Sequence, residues 1–399
     1  MFHRCLVKSV LNSRHPGALQ RATTAIASPN AGSTKICRRS FRALVAQSKK
    51  DAESKNEPSS QVVEFNNIED LPRQDPNGDI EVEIHYSNLN YKDAMIVLGQ
   101  KGVVQEYPIV GGIDYAGVVS KICNTDSDMW KVGDQVVLTG NKAGQYFDGG
   151  YSQRAKVKAE WLVSPPPSLN LEECMIVGTA GVTAAQCIIH LEKYGQIEPS
   201  HGPVLVTGAA GGVGQLSIAL LQECGYNVIA STGRREELGD HLRELGASDV
   251  IDRLDVENIK PLDKQLYAGV IDTVGGLTLC KALSQTCYRG AIACPGVAGG
   301  GNMSEATVYP FILRGIRLLG IDQTMPWDVD GYPQDPKRWK AWRQERIDIW
   351  NFLNEKLNKD KLHRLIHSNN TIGLNDLMDY SKRILKGQIA GRTLVDVNK

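Results

Sequence analysis

The stretch that decides the fold is Pro203-Val204-Leu205-Val206-Thr207-Gly208-Ala209-Ala210-Gly211-Gly212-Val213-Gly214. Residues 204–206 form a short apolar run, as expected of a strand buried on both faces. Gly208, Gly211 and Gly214 follow at three-residue spacing. Residues 215–223 then place Leu216, Ile218, Ala219, Leu220 and Leu221 with helical spacing, and Gly225 stands where a helix C-cap glycine belongs. Residues 228–230 are a second apolar strand. Strand, glycine turn, helix and parallel strand together make a dinucleotide-binding βαβ unit. A side chain in the turn would hold the backbone off a pyrophosphate. Bare glycines let the N–H groups of the helix N-terminus face the anion. A purely structural turn would also use glycine, but the flanking strands and helix favour the nucleotide.

The end of the second strand selects the nucleotide. An NAD site usually carries an acid there for the ribose 2′-OH. This chain reads Ser231, Thr232, Gly233, Arg234, Arg235, and its first acid is Glu236. A hydroxyl and a guanidinium suit a 2′-phosphate, because Arg offers several donors to a dianion. The expected cofactor is therefore NADPH. The alternative is that Arg234 and Arg235 merely begin a solvated helix.

The 399 residues exceed one ordinary core, so two domains are the default. Formal net charge is zero, but residues 1–50 hold ten Lys or Arg and no acid. The remainder has 35 basic residues against 45 acidic. An acidic body argues against a nucleic-acid surface, and no uninterrupted apolar run approaches membrane-spanning length. The nine cysteines are scattered without C-x-x-C spacing, which suits reduced thiols in an intracellular compartment. Residues 1–40 are rich in Arg, Ser, Thr and Ala and resemble a targeting segment, with the mitochondrion as the expected destination over the plastid. A disordered basic tail is the alternative.

Downstream, residues 41–46 signal a strand, and 47–60 are polar and expected to be a loop. Residues 79–86 alternate as a strand through Ile80, Val82, Ile84 and Tyr86. Asn90-Tyr91-Lys92-Asp93 precedes a helical stretch at 94–98, where Asp93 suits helix capping and Lys92 suits a solvated face. Short strands with many glycine turns suggest a small β-barrel. Pro165, Pro166 and Pro167 mark a boundary. Two helices are expected at 171–177 and 182–191, joined by residues 178–181. Further strands are expected at 250–251, 269–272, 290–293 and 316–321, giving a doubly wound parallel sheet. The last of these would lie at a sheet edge and pair with a second copy. Trp339, Trp342 and Trp350 lie in a helical tail, either as a wall for a large acyl-thioester ligand or as packing anchors; residues 387–396 look like a turn and closing strand.

This order resembles the medium-chain dehydrogenase/reductase superfamily. The strings Asn90-Tyr91-Lys92-Asp93, Gly112-Ile113-Asp114-Tyr115-Ala116-Gly117, Gly178-Thr179-Ala180-Gly181, Pro310-Phe311-Ile312-Leu313-Arg314 and Gly391-Arg392-Thr393-Leu394-Val395 are similar to its acrylyl-CoA reductase group, whose members are often labelled quinone oxidoreductases. Insertions fall near 47–60 and 328–340. The resemblance implies an α/β chain with a GroES-like β-barrel catalytic domain plus a doubly wound Rossmann nucleotide-binding domain. It divides the chain into 1–40 (targeting), 41–166 (catalytic), 167–325 (NADPH-binding) and 326–399 (return to the catalytic domain). It also implies a homodimer.

Zinc-dependent relatives carry a Cys ligand where this chain has Asn90-Tyr91-Lys92-Asp93, and a Gly-His-Glu where it has Gly112-Ile113-Asp114. Tetrahedral zinc needs three or four soft or imidazole ligands, so no metal is expected. The resemblance then implies NADPH-dependent reduction of an activated C=C bond, acrylyl-CoA to propanoyl-CoA. It assigns the pyrophosphate to Ala210, Gly211, Gly212 and Val213 within the Gly208–Gly214 turn. Thr232, Gly233 and Arg234 match the 2′-phosphate segment, and Arg253 a basic contact near the adenosine. Val297 and Ile312 match loop positions near the nicotinamide, and Gln323 and Gly387 polar contact positions. Tyr91 matches a family position that touches the nicotinamide end of the cofactor and could donate to substrate, or could simply pack between domains. Asn90 is the second catalytic candidate, and Asn90 and Lys92 could support the site or bind acyl-CoA phosphate. An NADPH-dependent quinone or enone oxidoreductase, and a catalytically silent NADPH-binding adaptor, are the other functional readings.

Overall fold

The computed structural model describes residues 40–123, 129–324, 336–366 and 370–399. The targeting segment expected at 1–40 lies outside the described residues apart from Ser40, as do residues 328–335 of the tail insertion.

Strand β1 (Phe41–Ala46) is joined to its antiparallel partner β2 (Ser60–Phe65) by helix α1 (Lys49–Lys55), not by the loop expected there. The helix has one buried residue, Ala52, so it lacks an apolar stripe, but its ends are well made. Ser48 accepts from the Asp51 N–H, and Asn56 closes it in the left-handed conformation at φ 55°.

Next come β3 (Ile80–Asn88), α2 (Tyr91–Val97), β4 (Ile109–Val110), β5 (Asp114–Ile122), β6 (Gln135–Thr139) and β7 (Arg154–Val157). Strand β3 pairs with both β5 and β7, β5 also with β6, and β4 with β1. Ile80, Val82 and Ile84 of β3 are fully buried in the barrel core with Tyr115 and Tyr151.

Helix α3 (Leu171–Lys193) was expected as two pieces with a four-residue link. It is one helix broken at a single residue, Gly178, with φ 48° and ψ −160°. By length and composition (mean hydropathy 1.6) α3 could cross a membrane, but 89% of that window is buried inside the protein, as in a core helix.

The second half contains β8 (Val204–Thr207), α4 (Gly212–Glu223), β9 (Val228–Ser231), α5 (Arg235–Leu245), β10 (Asp249–Ile251), β11 (Tyr267–Asp272), α6 (Gly276–Gln285), β12 (Thr286–Cys294), α7 (Tyr309–Arg314) and β13 (Arg317–Gly320). All six strands are parallel, in the order β10-β9-β8-β11-β12-β13. The chain winds outward from β8 to β10, then crosses back to β11. A crevice opens between the carboxyl ends of β8 and β11, where ligands bind in open α/β sheets.

The tail comprises α8 (Pro336–Lys356), α9 (Lys359–Arg364), β14 (Thr371–Ile372), α10 (Leu377–Leu385) and β15 (Leu394–Asp396). Strand β15 pairs with β14 and, antiparallel, with β3, so the chain ends in the barrel sheet. The tryptophans of α8 are packing anchors. Trp350 is buried in the core around α3, and Trp339 stacks on Trp342 at 5.1 Å against the barrel.

Candidate active site

The glycine turn follows β8 directly. Gly208 takes φ 59°, and a Cβ there would overlap the Thr273 hydroxyl. A Cβ on Gly214 would lie 2.7 Å from Ala209 Cα, so this glycine allows the helix to approach the strand. Gly211 is the N-cap of α4 and supplies no capping side chain, which leaves the first helical N–H groups to an anion. The crevice walls are tied together. Thr207 Oγ1 donates to the buried Asp272 carboxylate at 2.6 Å, Gly275 N donates to the same side chain at 2.7 Å, and Thr273 Oγ1 donates to Thr207 O at 2.9 Å.

Beyond β9, Thr232 is buried and its Oγ1 accepts from Arg234 N at 3.1 Å. Arg253 lies across bare Gly233, where any Cβ would overlap its guanidinium. Arg234 is the N-cap residue of α5; its Nε and Nη2 donate to Glu237 at 2.8 and 2.6 Å, and its Nη1 reaches Gly387 O at 3.4 Å. Arg235 is an ordinary surface charge of α5, paired with Asp252 at 3.2 Å. The fold thus gathers the consecutive Thr232, Gly233 and Arg234 with Arg253 and Gly387 from further along the chain. These donors and the open glycine cradle fit an NADP-type dinucleotide.

The floor is built by the break in α3. In an unbroken helix Met175 O, Ile176 O and Thr179 N would be bonded within the helix. Here Asn88 Nδ2 donates to Met175 O at 3.1 Å, Arg392 Nε donates to Ile176 O at 2.8 Å, and Thr179 N donates to Asp114 Oδ2 at 2.7 Å. Asn88, Asp114 and Arg392 are all buried. Gly178 makes this possible: a Cβ would overlap Asn88 Nδ2 and stand 2.8 Å from Asp114 Oδ2 and 2.9 Å from Arg392 Nη2.

Asn90 joins that floor to α2. Its Nδ2 donates to Asn88 Oδ1, Asp93 Oδ2 and Asp114 Oδ2 at 2.8, 3.0 and 3.1 Å, while its Oδ1 accepts from Arg392 Nη1 at 3.0 Å. Both ends of its amide are therefore engaged by protein groups. Asp93 caps α2 as expected, accepting from Asn90 N at 3.0 Å and from Ile113 N at 2.9 Å. Burial, then the neighbouring Asp114, push its carboxyl up to about 7 despite these donors. Lys92 is not a solvated helix residue. Its Nζ donates to Thr324 Oγ1 at 2.8 Å, and burial lowers its pKa. Tyr91, in the first turn of α2, is 46% exposed.

The remaining expected contacts are placed as follows. Val297 is exposed on a loop that lies over Gly275, with its Cα 3.4 Å from a Cβ built there. Ile312 is exposed on α7, a helix and not the loop expected. Gln323 is buried; its backbone O accepts from Arg346 Nη2 at 2.8 Å, and its Oε1 has no partner. Arg346 comes from α8, also donates to Thr139 Oγ1 at 2.7 Å, stacks on Trp342, and is pulled down to about 10 by burial.

Residues 76–167 match the alcohol dehydrogenase GroES-like domain, and residues 212–332 the zinc-binding dehydrogenase family. A Ruegeria pomeroyi protein named acrylyl-CoA reductase is 42% identical over 90% of this chain and 99% of its own. The chain belongs to the acrylyl-CoA reductase group of the medium-chain dehydrogenases/reductases. A Bacillus subtilis member named putative quinone oxidoreductase is 39% identical over 89% of this chain and 98% of its own. Among solved structures, a Salmonella enterica oxidoreductase in complex with NADP is 36% identical with a TM-score of 0.76, covering 89% of this chain and 99% of that one. A B. subtilis member with NAD bound gives the same TM-score at 38% identity, covering 90% of this chain and all of that one.

The zinc of the family name does not fit this donor set. The first ligand position falls on the Asn90–Asp93 corner, the second on Ile113 and Asp114, and the Asp114 carboxylate is already bonded to Asn88, Asn90 and Thr179. Among the described residues no three His, Cys, Asp or Glu side chains gather as a metal site.

Asn88, Arg346 and Arg392 make buried polar contacts around the site that the sequence did not announce. Arg392 lay inside a quoted family string, but its partners at 90, 176 and 212 are remote in the chain.

Proposed function

We propose that this chain reduces the C=C bond of a short 2-enoyl-CoA with NADPH, with acrylyl-CoA as substrate and propanoyl-CoA as product. The observation that carries this reading is 42% identity over 90% of this chain with a named acrylyl-CoA reductase, on a fold whose β9 end offers Thr232 and Arg234 in place of an acid. The Gly208–Gly214 turn would hold the pyrophosphate, and Thr232, Gly233, Arg234 and Arg253 the 2′-phosphate. The backbone of Gly387 would flank them.

Bound NADPH supplies the hydride that goes to the β-carbon of the enoyl thioester. The thioester carbonyl then needs a hydrogen-bond donor, and the α-carbon a proton. Tyr91 is the exposed phenol at this corner and supplies the proton to the α-carbon. Asn90, locked by Asp93 and Arg392, fixes where α2 presents Tyr91. No Lewis acid is required, because the substrate's own carbonyl accepts the charge.

Quinone reduction is the second reading, favoured by the 39% identity with the B. subtilis relative of that name. Comparing kcat/KM for acrylyl-CoA, crotonyl-CoA and a quinone with NADPH separates the two. A quinone preferred over both thioesters would reverse the order. A homodimer is also proposed. Strand β13 lies at the sheet edge, and Val308, Tyr309, Ile312, Leu313 and Leu318 beside it are exposed apolar side chains that a second copy would cover.

A further inference from the structure

The nucleotide turn and the Tyr91 corner are built on different sheets, yet Gly391 and Arg392 between them bond to both: the Gly391 backbone bonds the turn and the Arg392 side chain bonds Asn90. Gly391 N donates to Ala210 O at 3.1 Å, and Arg392 N donates to Leu365 O at 2.9 Å, so the backbone is pinned beside the turn before the side chain begins. The side chain then enters the gap at the break of α3, and the residue is 3% exposed.

Its contacts divide into two kinds. The Nε bond to Ile176 O completes a carbonyl that the helix break left open. That bond is structural. The Nη1 bond to Asn90 Oδ1 does nothing for α3. Nor does the approach to Gly212, where a Cβ would lie 3.0 Å from Arg392 Cδ and 3.1 Å from its Nη1. Gly212 is bare on the side where Arg392 lies, so a side chain there would push the guanidinium away. Nη2 is buried without a partner. Burial of the cation is costly, and Asp114 and Asp93 offset it.

We propose that Arg392 is a positioning residue for the reduction: it sets the spacing between the N-terminus of α4, where the pyrophosphate is held, and Asn90 at the N-cap of α2, and so places Tyr91 against the nicotinamide end. This rests on the reading of the glycine turn as the NADPH site. A planar fork serves both acceptors at once, since Nε and Nη1 point to Ile176 O and Asn90 Oδ1 in fixed relation, and so holds the side chain beside Gly212. A lysine keeps the charge but has a single nitrogen for the two acceptors.

The test uses the full chain with Arg392→Lys, Asn90→Ala and the double variant. NADPH Kd is read by protein fluorescence, kcat with acrylyl-CoA at saturating NADPH, and thermal melting separately. Each single variant should weaken NADPH by about tenfold, the scale of one charge-assisted bond, and should lower kcat even when the cofactor is saturating. The double variant should be no worse than the poorer single one, because both remove the same link. A purely structural role would lower the melting temperature and leave Kd and kcat of the folded protein at wild-type values; that result overturns the proposal. So would independent, multiplying effects. If Arg392→Lys does not fold, Asn90→Ala decides, because it leaves the bond to Ile176 intact, and an unchanged Kd and kcat there refutes the link. Failure of the wild-type chain to bind NADPH would instead overturn the cofactor reading.

Discussion

Replacing Arg234 with alanine should separate the two nicotinamide nucleotides. The guanidinium rests on Glu237 through two bonds, with side-chain exposures of 25% and 62%. Such an exposed pair, three residues apart on a helix, contributes only about 0.3–0.5 kcal/mol. A charge-assisted bond to a phosphate dianion contributes about 1.5–3 kcal/mol. The phosphate therefore wins the guanidinium from Glu237. The net loss on removing it is about 1–2.5 kcal/mol, or roughly 5- to 70-fold in the NADPH Kd. NADH has no 2′-phosphate, so its Kd should move by less than about twofold by the same reasoning. Fluorescence titration of both nucleotides against wild type and Arg234→Ala measures the ratio. Equal weakening of both, or an unchanged preference for NADPH, would refute the assignment of this loop.

Gly178→Ala should cost about 3 kcal/mol or more in urea unfolding, because φ 48° is strained for alanine and its Cβ would overlap Asn88; a loss under about 1 kcal/mol would mean the floor yields easily. Tyr91→Phe should lower kcat on the order of a hundredfold with NADPH affinity kept, and a fall of less than about threefold would assign the proton to another source. The Asp93 carboxyl is raised from 3.8 to about 7 on folding, so the native state holds a proton that the unfolded chain releases. Its contribution is complete below the unfolded value and is lost as pH rises through 7. The stability advantage of wild type over Asp93→Asn should therefore shrink between pH 4 and 7, by at most about 1.4 kcal/mol per unit, and a gap that widens with pH contradicts the raised value. Sedimentation at micromolar concentration should give the mass of two chains; a monomer would remove the role given to β13.

The nucleotide-binding half was legible because its signals are local. Gly208, Gly211 and Gly214 stand within one turn, and each strand is an apolar run whose limits the structure moves by a residue or a few. Helix α1 was hidden because Lys49–Lys55 buries only Ala52 and has no apolar period; its evidence is in the caps. The break in α3 was overestimated because Gly178 and Gly181 look alike in sequence. Only Gly178 leaves the helix; Gly181 stays helical, bare where a Cβ would meet Val177 and Leu216. Lys92 was misplaced for a different reason. Its partner Thr324 is 232 residues away, and nothing near Lys92 in the chain announces it. The same distance concealed Arg392, whose three neighbours come from three separate elements. Glycine turns and strand periods are written in adjacent residues, whereas the floor of the site exists only after the two sheets meet.

The central claim is that hydride passes from the cofactor to the β-carbon of a short enoyl thioester. It is tested most directly by incubating the chain with acrylyl-CoA and NADPH deuterated at the transferring carbon, then analysing the product by mass spectrometry and NMR. The account predicts propanoyl-CoA carrying one deuterium at the carbon farthest from the thioester. Acrylyl-CoA left unreduced while a quinone is turned over with the same cofactor, or propanoyl-CoA with the deuterium elsewhere, would contradict it.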